Sequence, residues 1–180
     1  PFLDLPSDWD DYMSGLRKKD RHELRRKLRR LETQEEFRQY EADLSSNNIQ
    51  SEMDDFFTLM SKSASQKEEF LTVANKGFFL DIATALSKNG QFRLFFMEIA
   101  SKRVATCICF DYNNNIFLYN SGYDPELSPF SVGLLNKALT IKTAISEGRS
   151  EYNFLRGTER YKYHLGAEDR KVFDMTIRRN

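Results

Sequence analysis

Cysteine is scarce in this sequence. Cys107 and Cys109 are the two in 180 residues, and they stand two apart inside an apolar run. That spacing excludes a disulfide framework, and no further residues complete a zinc-ligand set, so no metal site is expected. So little cysteine fits a reducing, cytoplasmic setting. Long hydrophobic runs are missing too: the longest, Phe92–Ile99 and Val104–Phe110, are of strand length, so no membrane span is expected. Histidine occurs twice, as His22 and His164, and neither has a Cys, Ser or Asp neighbour that completes a triad. An excess of one charge is also lacking, with 27 basic and 27 acidic side chains, so net charge excludes no partner. No signal peptide opens the chain, and its first residue is Pro1 rather than Met, as in an excised domain.

What is present is apolar mass. Hydrophobic residues make up 40% and aromatics 13%, including 15 Phe and 8 Tyr, which excludes wholesale disorder. Charge is balanced overall but not locally. Residues 17–30 hold nine bases against Asp20 and Glu23, whereas residues 31–69 hold ten acids against three bases. Either the basic and acidic segments pack side by side or face water, or the basic stretch has an anionic partner. Its bases are spread around a helix and no aromatics interleave them, so a nucleic-acid surface is not expected there.

The spacing predicts a helical front. Ser7 and Asp10 resemble a capping box ahead of Trp9, Tyr12, Met13 and Leu16, and Leu24, Leu28 and Leu31 continue the stripe. Further helices are expected over Thr33–Leu44, Ser51–Ser61 and Val73–Lys88. After Gly90 the period changes. Gln91–Ala100, Lys102–Asp111 and Ile116–Ser121 read as an antiparallel meander. A helix over Ser131–Glu147, a short strand Tyr152–Leu155, a short helix Thr158–Leu165 and a last strand Lys171–Ile177 follow. This order implies an α+β fold, a mixed sheet containing a βαβ crossover, preceded by a helical segment. Residues 1–180 read as one domain, with a helical lead-in at 1–70 and a sheet core at 71–180. In a crossover of this kind ligands collect where the helix begins. Ser131 either caps that helix or, with the amides that follow, receives an anion.

Several stretches resemble the GNAT-fold acetyltransferase domain of the FemAB-like and CelD-like group. They are Tyr123-Asp124 after the third strand, Ser128-Pro129-x-Ser131-Val132-Gly133 at the helix start and, above all, Tyr152-Asn153-Phe154-Leu155-Arg156-Gly157-Thr158-Glu159-Arg160-Tyr161-Lys162. The last is similar to the group's fDFLRGxExYK signature. Leu5-Pro6-Ser7-Asp8-Trp9, the basic helix and Lys67-Glu68-Glu69-Phe70-Leu71 extend the likeness over the whole chain. Asn153 stands where the group usually has Asp, and the Q/R-x-x-G-x-G/A phosphate loop of ordinary GNAT enzymes is absent. Members of the group carry another GNAT-like half upstream, so the chain is expected to be the second half of a longer protein.

The resemblance implies an N-acyltransferase that moves an acyl group from acetyl-CoA or another acyl-CoA to an amine, with a place in polysaccharide or envelope biosynthesis. It implies donor binding by Ser131, Val132, Gly133, Leu134 and Leu135, with Arg156 and Lys162 on anionic groups. Glu159 is the acid of the signature and the expected base. Tyr161 is a candidate proton donor to the leaving sulfur, beside Tyr119 and Tyr123. Two other classes stay open: a transferase drawing on aminoacyl-tRNA, and a non-catalytic half that binds a ligand or supports its neighbour.

Overall fold

Residues 1–34, 36–173 and 175–178 are described by the structure, a computed structural model. In chain order it forms β1 (Phe2–Asp4), α1 (Trp9–Gly15), α2 (Lys18–Glu32), β2 (Arg38–Glu41), α3 (Ile49–Ser63), α4 (Ser65–Phe70) and α5 (Val73–Ser87). Then come β3 (Phe92–Ile99), β4 (Lys102–Tyr112), β5 (Asn115–Tyr123), α6 (Val132–Ser146), β6 (Glu151–Asn153) and α7 (Arg160–His164). The strands make one sheet in the order β1-β6-β5-β4-β3-β2. β3, β4 and β5 are the expected meander, and α6 crosses over so that β6 lies parallel to β5.

Helices cover both faces of the sheet. α1, α2 and α6 pack on one face against Phe95, Met97, Cys107 and Cys109. α3 and α5 pack on the other against Phe92, Leu94, Phe96 and Ile108. β3 is therefore buried on both sides, which is why its sequence runs apolar without alternation. α1 starts one residue later than the Ser7 box suggests: Asp8 is its cap, and its Oδ1 accepts the Asp11 amide at 2.8 Å.

Two expectations are corrected. The helix over Thr33–Leu44 does not form. α2 runs to Glu32, and Arg38–Glu41 pairs antiparallel with β3. Tyr40 and Arg38, two apart, both reach the carboxylate of Glu98 on that neighbour strand, so a cross-strand period of two prevails over the helical one. The lead-in thus supplies both edges of the sheet, β1 and β2. The strand over Lys171–Ile177 is not formed in the described part, and Asp174 lies outside it. Val172, Phe173, Met175 and Ile177 are exposed, and β1 takes the place beside β6. Of the arrangements left open for the charged segments, side-by-side packing is not the one found. α2 lies on the α6 face, while Glu52 and Asp55 of α3 pair with Arg103 on the opposite face.

Candidate active site in the split between β5 and β6

Two features of β5 open the sheet. Ile108 pairs with Asn120 and Cys109 with Leu118, so Tyr119 is an extra residue, a bulge. On the other side β6 pairs only with Asn115, Ile116 and Phe117. From Leu118 onward one edge of β5 faces a cleft. Gly122 fixes the far side of this stretch. A Cβ there would sit 2.4 Å from the Leu59 carbonyl carbon and the Met60 amide nitrogen, so α3 lies directly against the β5 backbone.

The cleft has two lobes that share Lys67, Ser121, Glu159 and Tyr161. One, of about 460 Å³, extends between Leu118–Asn120 and Phe154–Arg156. The other, of about 440 Å³, extends to Ser131–Leu134 and Lys137 at the start of α6. A larger cavity of about 500 Å³ lies elsewhere, between residues 41–46 and the end of α5. It shares no lining residue with the split and holds none of the signature residues, so the chemistry points to the smaller cleft.

Of the five expected donor-binding residues, Ser131 begins α6 in the left-handed region, with φ 57°. Its amide donates to Ser128 O at 2.8 Å, and its carbonyl accepts the amides of Leu134 and Leu135, each at 3.0 Å. Among the described residues this leaves the amides of Val132 and Gly133 without a backbone acceptor. Leu135 is fully buried and faces the core. Gly133 is small for a reason: a Cβ would lie 3.0 Å from the Tyr123 ring that floors this lobe.

The signature stretch folds into a tight loop. Asn153 Oδ1 accepts the Leu155 amide at 2.9 Å, a turn-closing role its amide oxygen fills as a carboxylate would. Lys162 is buried at 2% exposure. Its ammonium donates to Arg156 O at 2.6 Å and Gly157 O at 3.2 Å, and meets Glu159 Oε2 at 2.9 Å. The loop itself thus takes up this charge. Arg156 is exposed in the outer lobe and has no ion-pair partner among the described residues.

Burial pushes the Glu159 carboxyl up, but the Lys162 hydrogen bond, a backbone hydrogen bond and the charges of Lys162 and Lys67 together hold the group below the usual carboxylate range. Glu159 is therefore an anion at neutral pH. Burial, and then the Glu159 charge, push the Tyr161 phenol well up, so it keeps its proton.

Two lysines complete the cleft. Lys67 of α4 reaches across and donates to the Ser121 carbonyl. The Ser121 amide, which points the same way, donates to Asn120 Oδ1 at 2.8 Å. Lys137 of α6 is 7% exposed; its ammonium donates to Gly133 O at 2.9 Å and lies 5.0 Å from the Tyr161 ring centroid. The family likeness touches Lys67 without giving it a role, and it leaves Lys137 out. A signal for Lys137 exists in the spacing: it falls three after Leu134 and four before Ile141, a charged residue on an apolar stripe.

A mixed sheet whose parallel pair opens into a cleft, with a helix start on one wall and a protonated phenol on the other, defines a class: a transferase fold with its site in the split sheet. The chain belongs to the acetyltransferase (GNAT) domain family, whose model matches residues 18–163. No curated protein matches it. Among solved structures it is similar to FemX, at 12% identity and TM-score 0.65, covering 85% of this chain and 52% of that one. It is similar to a conserved protein of unknown function from Bacteroides thetaiotaomicron VPI-5482, at 14% identity and TM-score 0.60, with 92% and 56% covered. A third is an aminoglycoside acetyltransferase from an uncultured soil metagenomic sample, solved with sisomicin, at 13% identity and TM-score 0.50, with 79% and 97% covered. The chain thus spans about half the length of the first two. Among the described residues no helix is long and apolar enough to cross a membrane.

Proposed function

We propose that the split between β5 and β6 transfers an acyl group from an acyl-CoA thioester, acetyl-CoA among the candidates, to an amine. The observation that carries this is the convergence, in one cleft, of the open β5 edge, the free Val132 and Gly133 amides and the Tyr161 phenol. The donor phosphates would meet those two amides at the positive end of α6. The carbon–nitrogen bond forms as the carbon–sulfur bond breaks. Tyr161 gives its proton to the departing thiolate, and Glu159 accepts the proton lost by the amine. Held low by Lys162, Glu159 is a weak base, and it takes that proton from the acidic nitrogen formed on attack while orienting it. Lys162 then holds Glu159 and the 156–159 loop in shape.

Calorimetry with acetyl-CoA and a transfer assay over an amine panel test this reading. Tyr161→Phe should lower kcat by roughly 10²-fold or more with little change in donor KM. Absence of acetyl-CoA binding, or full activity in Tyr161→Phe, would overturn it. We further propose that a GNAT-like half upstream completes the acceptor side, the chain spanning 52% of FemX, and that the protein works in the cytoplasm, where its two buried thiols stay reduced.

An aminoacyl-tRNA donor is the second reading, favoured by the place of α2. Arg30 donates to Pro129 O at 3.2 Å and covers the Phe130 ring, beside the start of α6 and away from the acidic α3. Against it, Arg21 is spent on Ser14 O, and Arg26 and Lys27 on Glu23. Weak tRNA binding with a shallow salt dependence is expected. A steep dependence abolished by reversing Arg25, Arg26, Arg29 and Arg30 would establish the tRNA donor instead.

A further inference from the structure

The charges lining the cleft are lopsided in a chain of zero net charge. Lys67, Lys137, Arg156 and Lys162 face one carboxylate, Glu159. Lys162 and Glu159 neutralise each other at 2.9 Å. Two ammonium groups then remain in the inner lobe: Lys67, half-buried and on Ser121, and Lys137, more than nine-tenths buried and against the Tyr161 ring. Each donates to a single carbonyl, Ser121 O for Lys67 and Gly133 O for Lys137, so each has donor capacity left over. A neutral carbonyl does not balance a buried ammonium. Burying a cation so incompletely partnered is costly, and a structure that does so at a cavity wall leaves room for an anion.

We propose that the inner end of the cleft, between Lys67 and Lys137, is an oxyanion subsite that receives a carboxylate or phosphoryl group of a reactant. The subsite deepens the acyl-transfer reading and rests on it only for the identity of that reactant. It implies that the substrate pair brings a negative group past Tyr161, and that polycationic amines are disfavoured.

Proton linkage follows from the surroundings of Lys137. Cys107 and Cys109 of β4, Lys67 of α4, Glu159 ahead of α7 and Tyr161 of α7 are the ionisable groups facing it. Burial, with Lys67 adding to it, brings its ammonium down to about 8. An oxyanion favours the charged form and pushes the value back up. Binding should therefore take up a proton near pH 8 and weaken as pH rises above it.

The test uses the protein labelled with ¹³C at the lysine ε-carbons and three probes: malonate for the carboxylate source, inorganic pyrophosphate and acetyl-CoA for the phosphoryl source. The Lys137 resonance, identified by its loss in Lys137→Met, should titrate near pH 8 and move up by about one unit or more with at least one probe. Malonate, if it is the ligand mimic, should bind about tenfold more weakly at pH 9 than at pH 7, following the fraction of protonated Lys137. Lys137→Met should lose about tenfold or more in affinity for the same probe, and Lys88→Met, outside the cleft, should lose nothing. A midpoint unmoved by all three probes, or unchanged affinity in Lys137→Met, would overturn the proposal. The pH dependence of malonate binding by the wild-type protein does not depend on any variant folding. Proton-linked binding without transfer to any amine would sink the acyl-transfer reading and leave this one standing; transfer without such binding would do the reverse.

Discussion

Replacing Arg93 by Met should lower the unfolding free energy by about 3 kcal/mol at pH 7, measured by urea denaturation. Arg93 is buried on β3, and it ties together three elements far apart in sequence. Its guanidinium meets Glu41 of β2 at 3.0 Å, Glu147 after α6 at 2.6 Å and Asp111 of β4 at 3.4 Å, and it covers the Phe95 ring. Met keeps most of the packing and removes the charge. Removing one partner of a buried ion pair costs roughly 3–5 kcal/mol; the low end applies because water reaches Glu41 and Glu147, and Arg149 still holds Asp111 at 2.7 Å. The difference should depend on pH. The Arg93 hydrogen bond holds the Glu147 carboxyl below its usual range. Stability from a depressed carboxyl is present above its unfolded value and is lost as pH falls through the lower folded value. The gap between wild type and Arg93→Met should therefore narrow as pH drops below about 4.5. A gap under about 1 kcal/mol at pH 7, or one that persists at pH 3, would refute this account of the network.

Gly122→Ala should be at least as damaging, for a different reason. The added Cβ would sit 2.4 Å from Leu59 C, 2.4 Å from Met60 N and 2.5 Å from Met60 Cα. These are backbone atoms of α3, so no side chain can swing aside. Overpacking of an ordinary core site costs roughly 1–3 kcal/mol, and a clash with a helix backbone should reach or exceed the top of that range. Relief requires α3 or β5 to shift, and Ser121, the residue Lys67 grips, is next in line. Loss of stability should therefore come with loss of ligand binding in any protein that remains folded. Gly77→Ala supplies the contrast. Gly77 lies within α5, and a Cβ added there would meet nothing within 4 Å, so alanine should raise stability by up to about 1 kcal/mol. Similar effects at the two positions would mean that the α3–β5 approach is not as tight as described.

The parts legible in the sequence are those whose signal is local. β3, β4 and β5 begin and end within two residues of the expected bounds, because apolar runs are cut by Asn89-Gly90, Ser101-Lys102 and Asn113–Asn115. α6 and β6 are equally visible, and the signature stretch brings Glu159 and Tyr161 to the same cleft. What the sequence hides is decided by distant partners. Phe37, Tyr40 and Leu44 mimic a helical stripe, and only Glu98, some sixty residues on, pulls Arg38 and Tyr40 into a strand. The alternating residues of Lys171–Ile177 look like a strand, but the edge beside β6 is taken by β1. Lys162 reads as free to hold an anion; its carbonyl partners at Arg156 and Gly157 exist only once the loop has closed. Lys137 is the reverse case, a residue whose strangeness is written in the helical spacing.

The β1 strip also joins distant parts of the chain. Phe2 is opposite Asn153, about 150 residues along the chain, and contacts of that span form slowly. β1 is made long before β6, so it stays without this partner until the chain through Asn153 exists. Until the two pair, β6 shows an unpaired rim to its surroundings. Pairing of Phe2–Asp4 with Glu151–Asn153 is therefore expected among the slow contacts of assembly, and amide exchange at Tyr152 and Phe154, the latter donating to Pro1 O at 2.9 Å, would time it.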